Sequence, residues 1–360
     1  MFFRRAFPSA VVMAAACGLS QAQSSVTVYG IVDVGVEALT NVNAAGDSLL
    51  RMPNLTGTTP SRLGFRGAED LGDGLRAVFA LESGFAPDTG TLNNGGRLWG
   101  RFAYVGLAGD WGSVTLGRLV NMTFNAALSE TLGGNLYSIA SLDSYIPNAR
   151  SDNAIGYLGT FNGFTAGATY SFGRDSVSGA GPAATNCPGE SADRKACRQV
   201  TAMLKYDSPD YGAALSADLM NGGPGATLGL DDSSATDRRT VFSGYGVVGE
   251  VKVSGGLVRR ERRAAVNFKS DLWYVGATFR PTPALVLDAE VARLDVKNSP
   301  NDSTLLALRA ANWLSKRTSV YLMAGHMWNA GSAALSISAG GTVGAGLGQT
   351  GVAAGIRHDF

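Results

Sequence analysis

The sequence is poor in charge, in histidine and in long apolar runs, and each shortage excludes a class of protein. With 30 basic and 29 acidic residues among 360, the net charge is only +1. No basic surface is on offer for releasing counterions from a nucleic acid, so a nucleic-acid partner is not expected. No stretch approaches the ~18 uninterrupted apolar residues of a membrane-crossing helix. A helical membrane protein is excluded. His326 and His358 are the only histidines and no CxxC spacing occurs, so neither a metal site nor a cofactor is expected. Glycine, by contrast, is abundant at 48 residues, about twice the ordinary share of ~7%, and that much glycine does not build long helices.

The first residues read as an export signal. Arg4-Arg5 is followed by the apolar run Ala10 to Ala16 and then by Ser20-Gln21-Ala22, with small residues where a signal peptidase requires them. Residues 1–22 are therefore expected to be removed, leaving 23–360 as one domain. Cys187 and Cys197 lie ten apart in the loop-like segment 173–198, rich in Gly, Ser, Ala and Pro. After export to an oxidising compartment, this spacing predicts a disulfide stapling an exposed extracellular loop, with two free thiols as the alternative.

The period along the rest of the chain is two. Val26, Val28, Val32, Val34 and Val36 alternate with Thr27, Asp33 and Glu37, the mark of a strand with one greasy and one wet face. In 75–82, Leu75, Ala77, Phe79 and Leu81 share one face while Arg76 and Glu82 take the other. The pattern predicts sixteen strands at 26–37, 58–67, 75–86, 97–108, 113–120, 149–160, 164–173, 199–207, 212–222, 240–248, 251–263, 270–281, 285–296, 304–313, 318–328 and 350–360. Short and long connections alternate between them, as in an outer-membrane barrel. Because lipid cannot hydrogen-bond free backbone groups, such a sheet must close. Aromatic residues near strand ends, among them Phe79, Trp111, Phe172, Tyr211, Trp273, Tyr321 and Trp328, fit interfacial girdles.

Several motifs carry a resemblance. They are Val26-Thr-Val-Tyr-Gly-Ile-Val-Asp-Val-Gly-Val-Glu37, the hairpin opening Ser61-Arg-Leu-Gly-Phe-Arg-Gly, Ala103-Tyr-Val-Gly-Leu-Ala-Gly, Gly112-Ser-Val-Thr-Leu-Gly-Arg118, Leu314-Ser-Lys-Arg-Thr318 and the closing Phe360. Together they resemble the Gram-negative general porin family, over essentially the whole mature chain. The resemblance implies a closed 16-stranded antiparallel transmembrane β-barrel in the cell outer membrane, with no enzymatic activity. It also implies a homotrimer, a long third loop (121–148) folded into the lumen as a constriction, and passive diffusion of small hydrophilic solutes and ions. Phe360 would be the C-terminal barrel signal. The branch it looks like lines the constriction with arginines and prefers anions.

Carried over by motif, those arginines are Arg62, Arg101 and Arg150. Alternation gives independent support: Leu63 and Phe65 face lipid, which turns Arg62 and Arg66 to the lumen, and Ile155 and Tyr157 do the same for Arg150. Arg101 shares a face with Ala103, Val105 and Leu107, so either a bulge intervenes or the lipid face is Phe102-Tyr104. Glu130 and Asp143 in the third loop would face the arginine row, with Arg76 further along the same inner wall. A competing role for the arginines is pairing with Asp33, Glu37 or Glu82 on that wall. The cluster Arg259-Arg260-Glu261-Arg262-Arg263 is either a site for lipopolysaccharide phosphates or a solvated loop edge. The third loop matches the family pattern poorly, which leaves a substrate-specific sugar or phosphate channel as the alternative function. A hydrolase lacks histidine bases in a plausible place, and a repeat-built adhesin lacks a repeat.

Overall fold

The computed structural model describes residues 25–127, 131–132, 136–177 and 183–360. The expected export signal 1–22 and Glu130 lie outside the described residues. Sixteen strands form the wall: β1 Ser25–Leu39, β3 Arg62–Gly72, β4 Leu75–Gly84, β5 Phe102–Gly109, β6 Gly112–Val120, β7 Arg150–Phe161, β8 Phe164–Ser171 and β9 Gln199–Asp207 make the first half. The second half is β10 Tyr211–Asn221, β11 Thr236–Val248, β12 Val251–Arg263, β13 Phe268–Phe279, β14 Leu285–Val296, β15 Ser303–Trp313, β16 Thr318–Asn329 and β17 Gln349–Asp359. A short extra strand, β2 (Leu49–Arg51), pairs with the end of β1.

Closure falls to β1. Its first half, Ser25 to Ile31, pairs with β3, and its second half, Ile31 to Leu39, pairs with β17, so the sheet returns to its start without a free edge. Gly30 marks the changeover, exchanging backbone hydrogen bonds of 3.1 Å each with Phe360. A Cβ there would stand 2.7 Å from the Arg62 carbonyl and 2.2 Å from the Phe360 ring, which is why only glycine fits.

Antiparallel neighbours place every second connection at the same end. Tight turns such as Asp73-Gly74 and Asn162-Gly163 close one end, with φ of 51° and 76°, and 50° and 82°, the mirror-image hairpin geometry that Asn, Asp and Gly tolerate. The long connections 40–61, 85–101, 121–149, 172–198 and 330–348 all leave the other end. Two strands begin later than the sequence pattern suggests. Residues 58–61 are drawn off the wall because Asp33 accepts hydrogen bonds from Thr58 and Thr59, and β3 instead runs on to Gly72. Residues 97–101 likewise belong to the connection before β5.

The outward face is apolar: Val28, Val105, Leu204, Leu215, Phe242, Trp273, Val275 and Leu322 are all exposed, as a lipid-facing surface requires. Tyr321 is not part of an outer girdle. It is buried inside, where its hydroxyl donates to Asp33 at 2.8 Å.

The interior has two different walls. Along β9–β17 the inward face mixes apolar residues, among them Leu272, Tyr274, Leu305, Met323 and Met327, with the buried charges Asp218, Asp237, Arg239, Arg260, Asp288 and Glu290; the apolar ones form one cluster with Leu132, Leu136, Ile139 and Ile146 of the connection 121–149. That connection is tied to inward side chains around the barrel. Thr131 meets Ser254 at 2.6 Å, Tyr137 donates to Glu37 at 3.3 Å, and Tyr145 donates to Asp218. Arg309, paired with Asp288 at 2.8 Å, donates to the carbonyls of Gly57 at 3.0 Å and Leu132 at 3.3 Å, so one guanidinium holds two loops to the wall. The inner wall along β1 and β3–β8 carries a further set of charges. Leu305 is fully enclosed under the inner loop. Leu305→Ala is therefore expected to cost ~2–5 kcal/mol, read as a lower midpoint of the heat-induced gel shift of the detergent-solubilised barrel. An unchanged midpoint would mean that this wall is not packed.

Candidate functional site

The charged wall is organised around shared carboxylates. Glu82, inward on β4 and 2% exposed, takes Arg101 Nε at 2.5 Å, Arg62 Nη1 at 3.9 Å and the Tyr29 hydroxyl at 2.8 Å. Asp152 sits between Arg118 and Arg97, the latter at 3.1 Å. Asp175 sits between Arg174 at 2.5 Å and Arg97 at 3.4 Å. Arg150 has no carboxylate among the described residues. Its Nε and Nη1 donate to the carbonyls of Arg101 at 3.2 Å and Pro147 at 3.0 Å, its Nη2 is buried without a partner, and it lies 5.5 Å from the Phe124 ring centre. Six guanidiniums therefore face three carboxylates, a surplus of three positive charges. Arg97, Arg101, Arg118, Arg150 and Arg174 share one open cleft at the long-loop end of the barrel.

Local backbone explains how these side chains meet. The lipid face of β5 is Val105 and Leu107, both exposed, so alternation alone would turn Arg101 outward. Arg101 instead precedes the strand, where its N–H bonds the Glu82 carbonyl at 3.0 Å and the irregular backbone swings its side chain onto Glu82. For Arg150 the count from Ile155 does not carry through. The β6–β7 register shifts between Gly117 and Leu119, and Asn153 opposite takes a positive φ of 47°, so a bulge interrupts the alternation. The position of Arg150 comes from its carbonyl bonds, not from strand parity.

Other expected residues are elsewhere. Asp143 does not face the arginine row. The short 3-10 turns at Ile139–Ser141 and Ile146–Asn148 present it to β11, where it pairs with Arg239 at 3.2 Å. Arg66 is exposed near Tyr29, 5.1 Å from its ring centre. Arg76 is exposed at the tight-turn end, opposite Asp70 and well away from Glu82. Glu37 and Asp33 anchor loops: Glu37 holds Arg51 at 2.6 Å and Ser338 at 2.9 Å, and Asp33 holds Thr58 and Tyr321. Arg97, Arg118 and Arg174 were not singled out by the sequence. For Arg97 and Arg118 the partners Asp152 and Asp175 lie far along the chain, and although Arg174 adjoins Asp175, nothing in that dipeptide signals that Arg97 shares the carboxylate. Cys187 and Cys197 form a disulfide with Cα atoms 5.2 Å apart. Burial alone would push the Asp175 carboxyl up, but Arg174 and the N–H groups of Thr185 and Val177 hold it below its ordinary value. Burial and then Asp218 push the Tyr145 phenol up, so it stays a neutral donor.

The model of a family described as Gram-negative porin matches residues 9–355. Outer membrane porin protein 32 of Delftia acidovorans is 32% identical over 98% of both chains. An anion-selective porin from Comamonas acidovorans superposes with a TM-score of 0.77 at 28% identity, over 94% of this chain and 100% of its own. The trimer form of OmpT from Vibrio cholerae shares the fold, with a TM-score of 0.64 at 14% identity over 94% and 99% of the two chains. Glu82→Gln strips the shared carboxylate from two largely buried guanidiniums. It is expected to cost ~3–5 kcal/mol, measured as a lowered thermal unfolding midpoint, and a variant as stable as the parent would contradict the assigned pairing.

Proposed function

The chain belongs to the Gram-negative porin family, and on that premise we propose that its pore prefers anions, with Arg62, Arg101 and Arg150 as the selectivity residues. As a porin it is an outer-membrane channel through which small hydrophilic solutes diffuse passively, and not an enzyme. The observation that carries the preference is the surplus of three guanidinium charges, centred on an Arg150 that pairs with no carboxylate among the described residues. In a narrow water-filled passage with protein walls, such a fixed surplus repels cations and offers anions weak successive sites, so passage stays fast. Arginine cannot lose its proton at accessible pH, so the preference does not titrate away. The anion selectivity of the Comamonas acidovorans porin points the same way.

Residues 121–148 serve as the constriction loop in this reading, because they lean on the apolar wall and leave the arginine wall to line the passage. Three further parts of the reading concern the surroundings. The apolar outer face of β1 and β3–β5, with Val28, Phe65, Phe79 and Val105, fits contact with two further copies in a homotrimer, the state of the OmpT structure that shares this fold. Phe360, bonded to Gly30 at the barrel seam, fits a role as an assembly signal. On the outside, Arg238 and Arg263 make no ion pair among the described residues while Arg259 and Lys269 pair with Asp271 and Glu261, so this edge suits lipopolysaccharide phosphates.

Reversal potential across a planar bilayer in a salt gradient tests the preference. Arg150→Gln should lower the anion-to-cation permeability ratio roughly twofold or more, the scale expected for removing one weakly screened charge. An unchanged ratio removes Arg150 from the site, and a cation-preferring parent removes the reading as a whole.

A further inference from the structure

Beyond the three constriction arginines, the connection 172–198 brings two more charges to the mouth and holds them in place. Arg174 is 1% exposed, yet its Nε has no partner among the described residues; Nη1 meets Asp175 at 2.5 Å and the Thr185 hydroxyl at 3.2 Å. Its guanidinium carbon stands 4.8 Å from the Tyr145 ring centre, so the outer loop rests on the inner one. Asp175, 3% exposed, accepts hydrogen bonds from the N–H of Thr185 at 2.8 Å and of Val177 at 2.7 Å. It also reaches Arg97, whose other partner is Asp152.

This stretch is a stiff hairpin. Asp175 and Cys187 exchange backbone hydrogen bonds of 2.6 and 3.2 Å. Cys187 is joined to Cys197, whose N–H bonds the Gly222 carbonyl at 2.8 Å. Both cysteines pack with Met220, Ala226 and Leu230 in a small apolar cluster of their own. At Gly173 a Cβ would lie 1.6 Å from the Pro188 carbonyl oxygen, so the two arms are in direct backbone contact. A loop that merely covered the mouth would gain nothing from burying a guanidinium with an unbonded nitrogen, since an apolar side chain fills such a place at less cost. In this poorly screened position, linked through Asp175 to Arg97 at 3.4 Å, each unit charge is felt by an entering ion.

We infer that the disulfide-closed hairpin is a second selectivity element, in which Arg174 raises and Asp175 lowers the anion preference in the cleft they share with Arg150. The inference deepens the anion-preferring reading and rests on it for its functional meaning. Arg174 and Asp175 act through their field, and Tyr145, Arg97 and the disulfide are positioning groups.

The test is the reversal potential of six variants in planar bilayers under a potassium chloride gradient, each first shown to retain the heat-dependent gel shift of a folded barrel. Arg174→Gln should lower the anion-to-cation ratio about twofold and Asp175→Asn should raise it by a similar factor, while Arg174→Lys leaves it at the parental value. In a Cys187→Ser/Cys197→Ser background both shifts should shrink, because the charges are no longer held at the mouth. Shifts of the same sign for Arg174→Gln and Asp175→Asn, or no shift in either, overturn the inference. The readout is the difference between the two variants, so a parent lacking anion preference defeats the Arg150 reading and leaves this comparison intact.

Discussion

A backbone crossing hydrocarbon must pair all of its N–H and C=O groups within the protein, and every other feature of this chain follows from how it meets that demand. The solution is closure through β1, which gives half its length to β3 and half to β17. Once the sheet is closed, the two-residue period has only two places to put side chains, outside and inside. Antiparallel order then collects the long connections at one end, where they can turn back over the opening. The ring seam itself depends on a glycine, because Gly30 is crowded by both the Arg62 backbone and the Phe360 ring.

The interior shows how a barrel of this width avoids being merely a pipe. One wall holds an apolar cluster covered by the connection 121–149, and charges set beside that cluster, such as Arg309 and Asp288, act as clasps for loop carbonyls. The opposite wall carries a lattice in which Glu82, Asp152 and Asp175 each bridge two guanidiniums. Sharing one carboxylate between two cations keeps the arginines fixed, because each has a bonded partner. It also leaves the wall under-neutralised, because the acids are too few. Rigidity and residual charge thus come from the same contacts. That combination suits a passage that must discriminate without binding tightly.

Much of this was legible in the residues. Alternation located all sixteen wall strands, because a strand between lipid and water cannot hide its period. It located Arg62 for the same reason. It failed where the backbone leaves the ladder. Arg101 lies before its strand, the bulge opposite Asn153 breaks the count to Arg150, and the turns around Ile139 and Ile146 carry Asp143 to Arg239 rather than to the arginine row. Tyr321 was placed with the outer aromatics because an aromatic near a strand end looks alike from either side, whereas its hydroxyl is spent on Asp33. Arg97, Arg118 and Arg174 were invisible for another reason. Their significance lies in which carboxylate they share, and loops from distant parts of the chain decide that.

The central claim is that water reaches the inner wall along β3–β8, whereas the apolar cluster of β13–β17 is sealed beneath the inner connection. Single cysteines introduced as Val78→Cys on β4 and Ala307→Cys on β15, in a background lacking the native pair, probe both walls with a charged, water-borne thiol reagent in intact outer membranes. The account expects rapid modification at position 78 and little at 307, whose parent alanine is fully buried beneath the inner loop. Equal labelling at the two positions, fast or slow, would contradict it.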